Sequence, residues 1–203
     1  LAAAFSSLGL MAQEAGWKTD KLDSGRIVVK SRVTEIKNDG GDKAALIEYE
    51  ASTVEEIGLE SCVALLKNAA RHKDWIDGDK SESIRILPEG DSLIYYGFKG
   101  IGPVKDSDCA ARMSFREPEP GKHAVFTVRA APELLEERGR LRFKRYDVKY
   151  DFTDLGGGKV GVVVTATILT VVNVPFFMVK AAYPGAATDA LKKLLKQAHK
   201  ARG

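Results

Sequence analysis

The sequence is poor in the residues that build covalent or metal chemistry. It has two cysteines, Cys62 and Cys109, and three histidines, His72, His123 and His199, at no ligand spacing, so a zinc site is not supported. The thiols fall on a predicted helix and a predicted strand with no motif linking them. They are expected to be buried and free, since unpaired cysteine behaves as a small apolar residue, with a disulfide as the alternative. There is no Ser/His/Asp set, no HExxH motif and no phosphate loop; Gly156-Gly157-Gly158 lacks the following Lys-Ser/Thr and reads as a turn between strands. A net charge of +3 over 203 residues, with no long basic run and no RNA-binding aromatic motif, argues against nucleic acid as a partner. It helps approach to an anionic lipid surface only weakly. No internal repeat and no low-complexity linker divides the chain.

What remains is an ordinary globular composition in a chain long enough to bury one sizeable core and still enclose a pocket. The N-terminus stands apart. Residues Leu1 to Ala12 are apolar, rich in small residues and uncharged, and the first charge is Glu14. The stretch is too short to span a bilayer. It resembles the apolar core and small-residue end of a secretory signal peptide; the alternative is an N-terminal helix packed on the domain. Residues 1–13 are therefore read as an extension and 14–203 as the domain. A signal peptide implies a periplasmic or secreted protein; otherwise the address is cytoplasmic.

The pattern along the domain is mostly β. Residues 26–37 place Ile27, Val29 and Val33 on one face and Arg26, Lys30 and Arg32 on the other, as a half-buried strand does. Asn38-Asp39-Gly40-Gly41 is a turn signal. Residues 43–52 return with Ala45, Ile47, Tyr49 and Ala51 on one face. Ser52 followed by Glu55 fits a capping box, predicting a helix over 52–73. Strands are expected over 81–88, 91–101, 108–117, 122–130 and 141–153, with a short helical insertion over 131–137. The most apolar strand spans 159–172. The period then switches: Phe176, Phe177, Val179, Ala182 and Tyr183, then Ala187, Leu191, Leu194, Leu195 and Ala198, predict a long amphipathic helix that Pro184 breaks or kinks. Strands in a run with helices segregated indicate an α+β domain.

Several motifs carry a family resemblance. Gly100 to Asp108, with its Pro103-Val104-Lys105 run, resembles a strand-to-strand junction of the START (StAR-related lipid-transfer) family, with Ser107 where that family usually has arginine. The helix ending His72-X-X-Trp75, the hairpin from Tyr150-Asp151-Phe152 through Gly156-Gly157-Gly158, and Asn173-Val174-Pro175 before the last helix resemble further family landmarks in the same order, from about Trp17 to Ala198. The resemblance implies a helix-grip (START-like) fold, a curved antiparallel β-sheet wrapped around a long C-terminal helix. It implies an internal cavity for a lipid or other hydrophobic small molecule, without a cofactor and without covalent chemistry. The departure at Ser107 means that a buried ion pair made by the family arginine is not carried over.

The candidate ligand-binding residues are Tyr49, Trp75, Tyr96, Phe98, Met113, Phe115, Arg129, Phe176 and Tyr183. As cavity walls they offer apolar contact with a few polar tips, the usual make-up of small-molecule sites; as core they need no function. Arg112 and Arg116 alternate with Met113 and Phe115 and are expected in solvent. Arg129 shares parity with Val125 and Thr127 and would meet a ligand anion, a protein carboxylate, or water at the cavity mouth. Asp106 and Asp108 read as local backbone caps in preference to a catalytic pair. The loop Gly100–Pro103 and the start of the last helix are the natural gate. The partners expected are a lipid or hydrophobic small molecule and transient membrane contact, with the protein a monomer. An enzyme of the same superfamily, a cyclase or hydrolase using Arg129, Asp108, His123 or Tyr96, is the alternative; a third reading fills the interior with side chains.

Overall fold

The structure, a computed structural model, describes residues 16–38, 40–100, 104–171 and 175–201. The apolar segment 1–12, Asp39 of the first turn, residues 101–103 of the expected gate and Asn173-Val174 lie outside the described residues. Among the described residues the strands are β1 (Lys18–Leu22), β2 (Ile27–Lys37), β3 (Lys43–Glu55), β4 (Lys80–Ile86), β5 (Ser92–Phe98), β6 (Ser107–Glu119), β7 (His123–Ala130), β8 (Leu141–Arg142), β9 (Tyr146–Gly156) and β10 (Lys159–Leu169). The helices are α1 (Leu59–Lys67), α2 (Phe176–Ala182) and α3 (Gly185–Lys200), with short 3-10 segments at Ala69–Asp74 and Pro132–Leu134.

One open sheet holds the strands in the order β1-β2-β3-β10-β9-β7-β6-β5-β4, each pair antiparallel, and β8 adds to β6 in parallel. The valine-rich β10 sits between β3 and β9, and so joins the N-terminal hairpin to the rest of the sheet. Its Val160, Val162, Val164 and Ala166 are buried, alternating as one pleated face requires. The turn after β2 is organised by Asn38, whose Oδ1 accepts the backbone N–H groups of Gly40 and Asp42, both at 2.9 Å.

Inward residues of β2, β3, β5, β6, β7, β9 and β10 share one buried cluster with α1 and α3, the arrangement of a sheet gripping a helix. Leu191, Leu194, Leu195 and Ala198 of α3 recur at helical spacing and are buried. Each buried leucine stabilises the docked helix by about 1.5–3 kcal/mol. Arg71 donates to Gln197 at 2.7 Å, and Lys192 and Lys193 pair with Asp23 and Asp77. These exposed pairs contribute less, about 0–1 kcal/mol each, so apolar burial holds the helix.

Three expectations need correction. The predicted helix start at Ser52 is strand: Ser52 to Glu55 pair with Val163 to Val160 of β10. That ladder outweighs the local capping box, and α1 begins after Gly58, which makes no side-chain cap. The helix ends at Lys67, with Ala69–Asp74 as 3-10 turn. The expected strand 141–153 is split into β8 and β9. The C-terminal helix breaks at Pro184 as expected, into α2 and α3, because Pro184 has no N–H to continue the ladder and Tyr183 is extended. The sequence signal missed β1, whose KTDKL run has no apolar alternation.

A buried ion pair appears where Ser107 had removed the expected one. Asp108, fully buried on β6, is gripped through two nitrogens by Arg142 of β8. Arg142 also donates to the carbonyls of Leu135 at 2.9 Å, Glu136 at 3.1 Å and Pro132 at 3.3 Å. The guanidinium is therefore satisfied inside the fold and pins the 132–136 segment, the condition under which burying charge is tolerated. Asp106 caps locally, accepting the Gly100 N–H at 2.9 Å.

Candidate functional site

Packing leaves a cavity of about 280 Å³ between the sheet and the first half of α3. Its floor is the inward face of β3, β10 and β9: Ile47 and Tyr49, Val164 and Ile168, Tyr146, Val148 and Tyr150. Phe98 and Phe143 close one end with ring centroids 5.6 Å apart. Trp75, Ile76 and Asp77 form a side wall, and Ala186, Ala187 and Ala190 of α3 lie over it. The small alanine side chains leave room there, and Leu191 and Leu194 of the same helix complete the wall.

The wall at Trp75 is fixed from behind. Its indole N–H donates to the Tyr150 hydroxyl at 3.2 Å. His72 stacks against Trp75 with centroids 4.8 Å apart and is wholly buried. The Leu66 carbonyl can only accept, so His72 Nε2 carries the proton and donates to it at 2.8 Å, and Nδ1 accepts from the Tyr96 hydroxyl at 2.6 Å. Burial pushes the imidazole pKa down from 6.5 to about 4, so it is neutral at pH 7. Burial also raises the phenols of Tyr49 and Tyr146, and those of Tyr150 and Tyr183 to about 12, so all four stay protonated.

Of the sequence-predicted site residues, Tyr49, Trp75, Phe98 and Tyr183 line the cavity. Tyr96 is one layer behind, with its hydroxyl on His72. Met113 is buried in the core. Phe115 stacks on Phe126 at 4.5 Å, under the Lys67 ammonium. Phe176 packs with Val179 and Ile47 beside the cavity. Arg129 is corrected: Ala124, Phe126 and Val128 are the buried residues of β7, so the opposite parity, with Arg129, is the outer face, and Arg129 is exposed. Arg112 and Arg116 are exposed as expected. Sequence reasoning missed Ile47, Tyr146, Val148 and Tyr150 as lining. The alternation Tyr146, Val148, Tyr150 carried that signal once the strand was placed.

The residues weighed for catalysis do not converge. Asp108 is held by Arg142, His123 bonds Asp151 at 2.9 Å, Tyr96 is held by His72, and Arg129 is in solvent. Cys62 and Cys109 are both buried and free; burial pushes the Cys62 thiol up to about 12.

No family model matches the sequence, and no curated protein aligns with it. Solved structures do match in fold. The STAR-related lipid transfer protein from Xanthomonas axonopodis superposes with a TM-score of 0.73 at 19% identity, covering 91% of this chain and 99% of that one. Human StAR-related lipid transfer protein 5 does so with a TM-score of 0.70 at 15% identity, covering 93% and 89%. An aromatase/cyclase from Streptomyces follows at a TM-score of 0.55 and 13% identity, covering 76% and 94%. The fold is the START helix-grip fold.

Proposed function

We propose that the protein binds a lipid or other hydrophobic small molecule in the cavity under α3 and carries it without covalent chemistry. The observation that carries this reading is the hollow itself, an apolar space left open inside an otherwise closely packed core. A volume of about 280 Å³ lies at the lower edge of ordinary ligand pockets, roughly 300–1,000 Å³. A compact apolar molecule fits as the cavity stands, and a long-chain lipid requires α2 and the start of α3 to shift. The non-catalytic reading is supported by the lining: among the described residues Asp77 is its one charged group, and Lys193 pairs with it.

Transient membrane contact is part of the proposal. On α2, Phe177 and Met178 are 71% and 53% exposed, while Val179 on the other face packs beside the cavity wall. Among the described residues no helix is long and apolar enough to cross a membrane. The protein is proposed to act as a monomer, and the composition of residues 1–12 supports export. Native mass spectrometry of protein purified from its source tests the binding reading. The expected result is one apolar molecule per chain; a consistently empty protein that takes up no apolar fluorophore overturns it.

A further inference from the structure

The polar atoms of the cavity are nearly all of one chemical kind. Tyr49 reaches it from β3, Tyr146 and Tyr150 from β9, and Tyr183 from the joint between α2 and α3. Strand register places the first three on one face of the sheet. Tyr49 lies opposite Ala166 of β10, and Ala166 lies opposite Val148 of β9, so Tyr146 and Tyr150 flank the level of Tyr49 on either side. All three belong to the inward parity. Burial raises the phenols of Tyr49 and Tyr146, and neighbouring hydroxyls add to it, those of Tyr183 and Tyr150 on Tyr49 and those of Tyr150, Tyr96 and Tyr49 on Tyr146.

The direction of the hydrogen bonds is set by Trp75. Its indole N–H can only donate, so the Tyr150 oxygen is already an acceptor and its own proton is the group offered to the cavity. Accepting that bond polarises the Tyr150 O–H and makes it the stronger donor. Among the described residues, no protein acceptor takes the protons of Tyr49, Tyr146 or Tyr150. Among the described residues no lysine, arginine or histidine is in the lining, and its one carboxylate, Asp77, is exposed. An anionic headgroup drawn inside would find donors but no opposite charge, and burying an unpaired charge is costly.

We propose that the cavity selects apolar molecules bearing a neutral hydrogen-bond acceptor, a ketone or ester carbonyl, whose two lone pairs receive the phenol protons of Tyr150 and Tyr49. This rests on the binding function proposed above and names the ligand class. It also separates two kinds of lipid: one with a neutral carbonyl enters polar end first, and one with a charged headgroup leaves that end at the mouth.

The test uses three probes of one skeleton, ethylnaphthalene, acetylnaphthalene and naphthoate, substituted at the same carbon and titrated against the full chain with phenylnaphthylamine as the displaced fluorophore. The ketone is expected to bind about five-fold more tightly than the hydrocarbon, as one net hydrogen bond allows, and naphthoate most weakly. Tyr150→Phe lowers that preference, read as the ratio of acetylnaphthalene to ethylnaphthalene affinity within the same variant. Tyr150→Phe also strips Trp75 of its acceptor, so Tyr49→Phe, whose hydroxyl holds no protein partner, provides a second variant with the same expectation. Equal affinities for the three probes, or a ketone preference unmoved in both variants, overturn the carbonyl assignment and leave hydrophobic binding intact. Failure of all three probes and of the fluorophore to bind overturns both.

Discussion

Acidification is expected to unfold this protein chiefly through one histidine. His72 is wholly buried, with both ring nitrogens occupied by Leu66 and Tyr96 in a way that suits only the neutral ring. Its pKa is about 4 in the fold and near 6.5 in an unfolded chain. A folded value below the unfolded one favours folding fully above pH 6.5, and the contribution is lost as pH falls through about 4. The gap of about 2.5 units, at 1.36 kcal/mol each, amounts to about 3 kcal/mol. That is a large part of the 5–15 kcal/mol stability typical of a domain. Urea unfolding at steps from pH 7.5 to about pH 4 measures it. His72→Phe paired with Tyr96→Phe removes the titrating ring and its hydroxyl partner together; it also frees the Leu66 carbonyl, which costs about 1–3 kcal/mol at every pH. Asp79, held below the usual carboxylate range by the Arg140 side chain, also loses stability in acid, and the double variant keeps that part. The wild type should therefore lose about 3 kcal/mol more than the variant between pH 7 and pH 4. Parallel curves for the two proteins would refute the reasoning.

Three further outcomes follow from the packing. Asp108→Ala leaves the Arg142 guanidinium buried without its carboxylate and should cost about 3–5 kcal/mol in chemical denaturation, whereas Asp108→Leu combined with Arg142→Met should cost much less. Cys62 and Cys109 should resist iodoacetamide at pH 8 in the folded protein and alkylate together once urea unfolds it; labelling of the native protein counts against their burial. Lys193→Ala removes the ion pair with Asp77 of the cavity wall and should change stability by no more than about 1 kcal/mol, because both side chains are exposed.

Much of the fold was legible because its elements follow the two elementary periods. The hairpin of β2 and β3, the valines of β10 and the leucines of α3 each display their buried face in sequence order. The failures have identifiable causes. Ser52 and Glu55 form a sound local helix start, but the β10 ladder is a non-local competitor that a local motif cannot reveal. Arg129 looked inward because Val125 and Thr127 share its parity; Ala124, too small to weigh in that judgement, marks the true inner face with Phe126 and Val128. The site was half legible. Tyr49, Trp75, Phe98 and Tyr183 were found as aromatics on apolar faces, but the hollow depends on Ala186 and Ala190, whose small size means nothing until the helix is docked. Asp108 was expected to serve its local backbone and instead meets a guanidinium from a distant strand.

The central claim is an interior that stays open and apolar, and Ala190→Trp tests it most directly. The alanine lies over the cavity, and an indole there occupies much of the 280 Å³. Titration of the wild type with phenylnaphthylamine should give saturable fluorescence at one molecule per chain. Ala190→Trp should remain folded and lose that binding by more than about ten-fold, near the 1–3 kcal/mol cost of overpacking a filled site. A wild type without saturable uptake, or a tryptophan variant that binds the fluorophore as well as the wild type, contradicts the account.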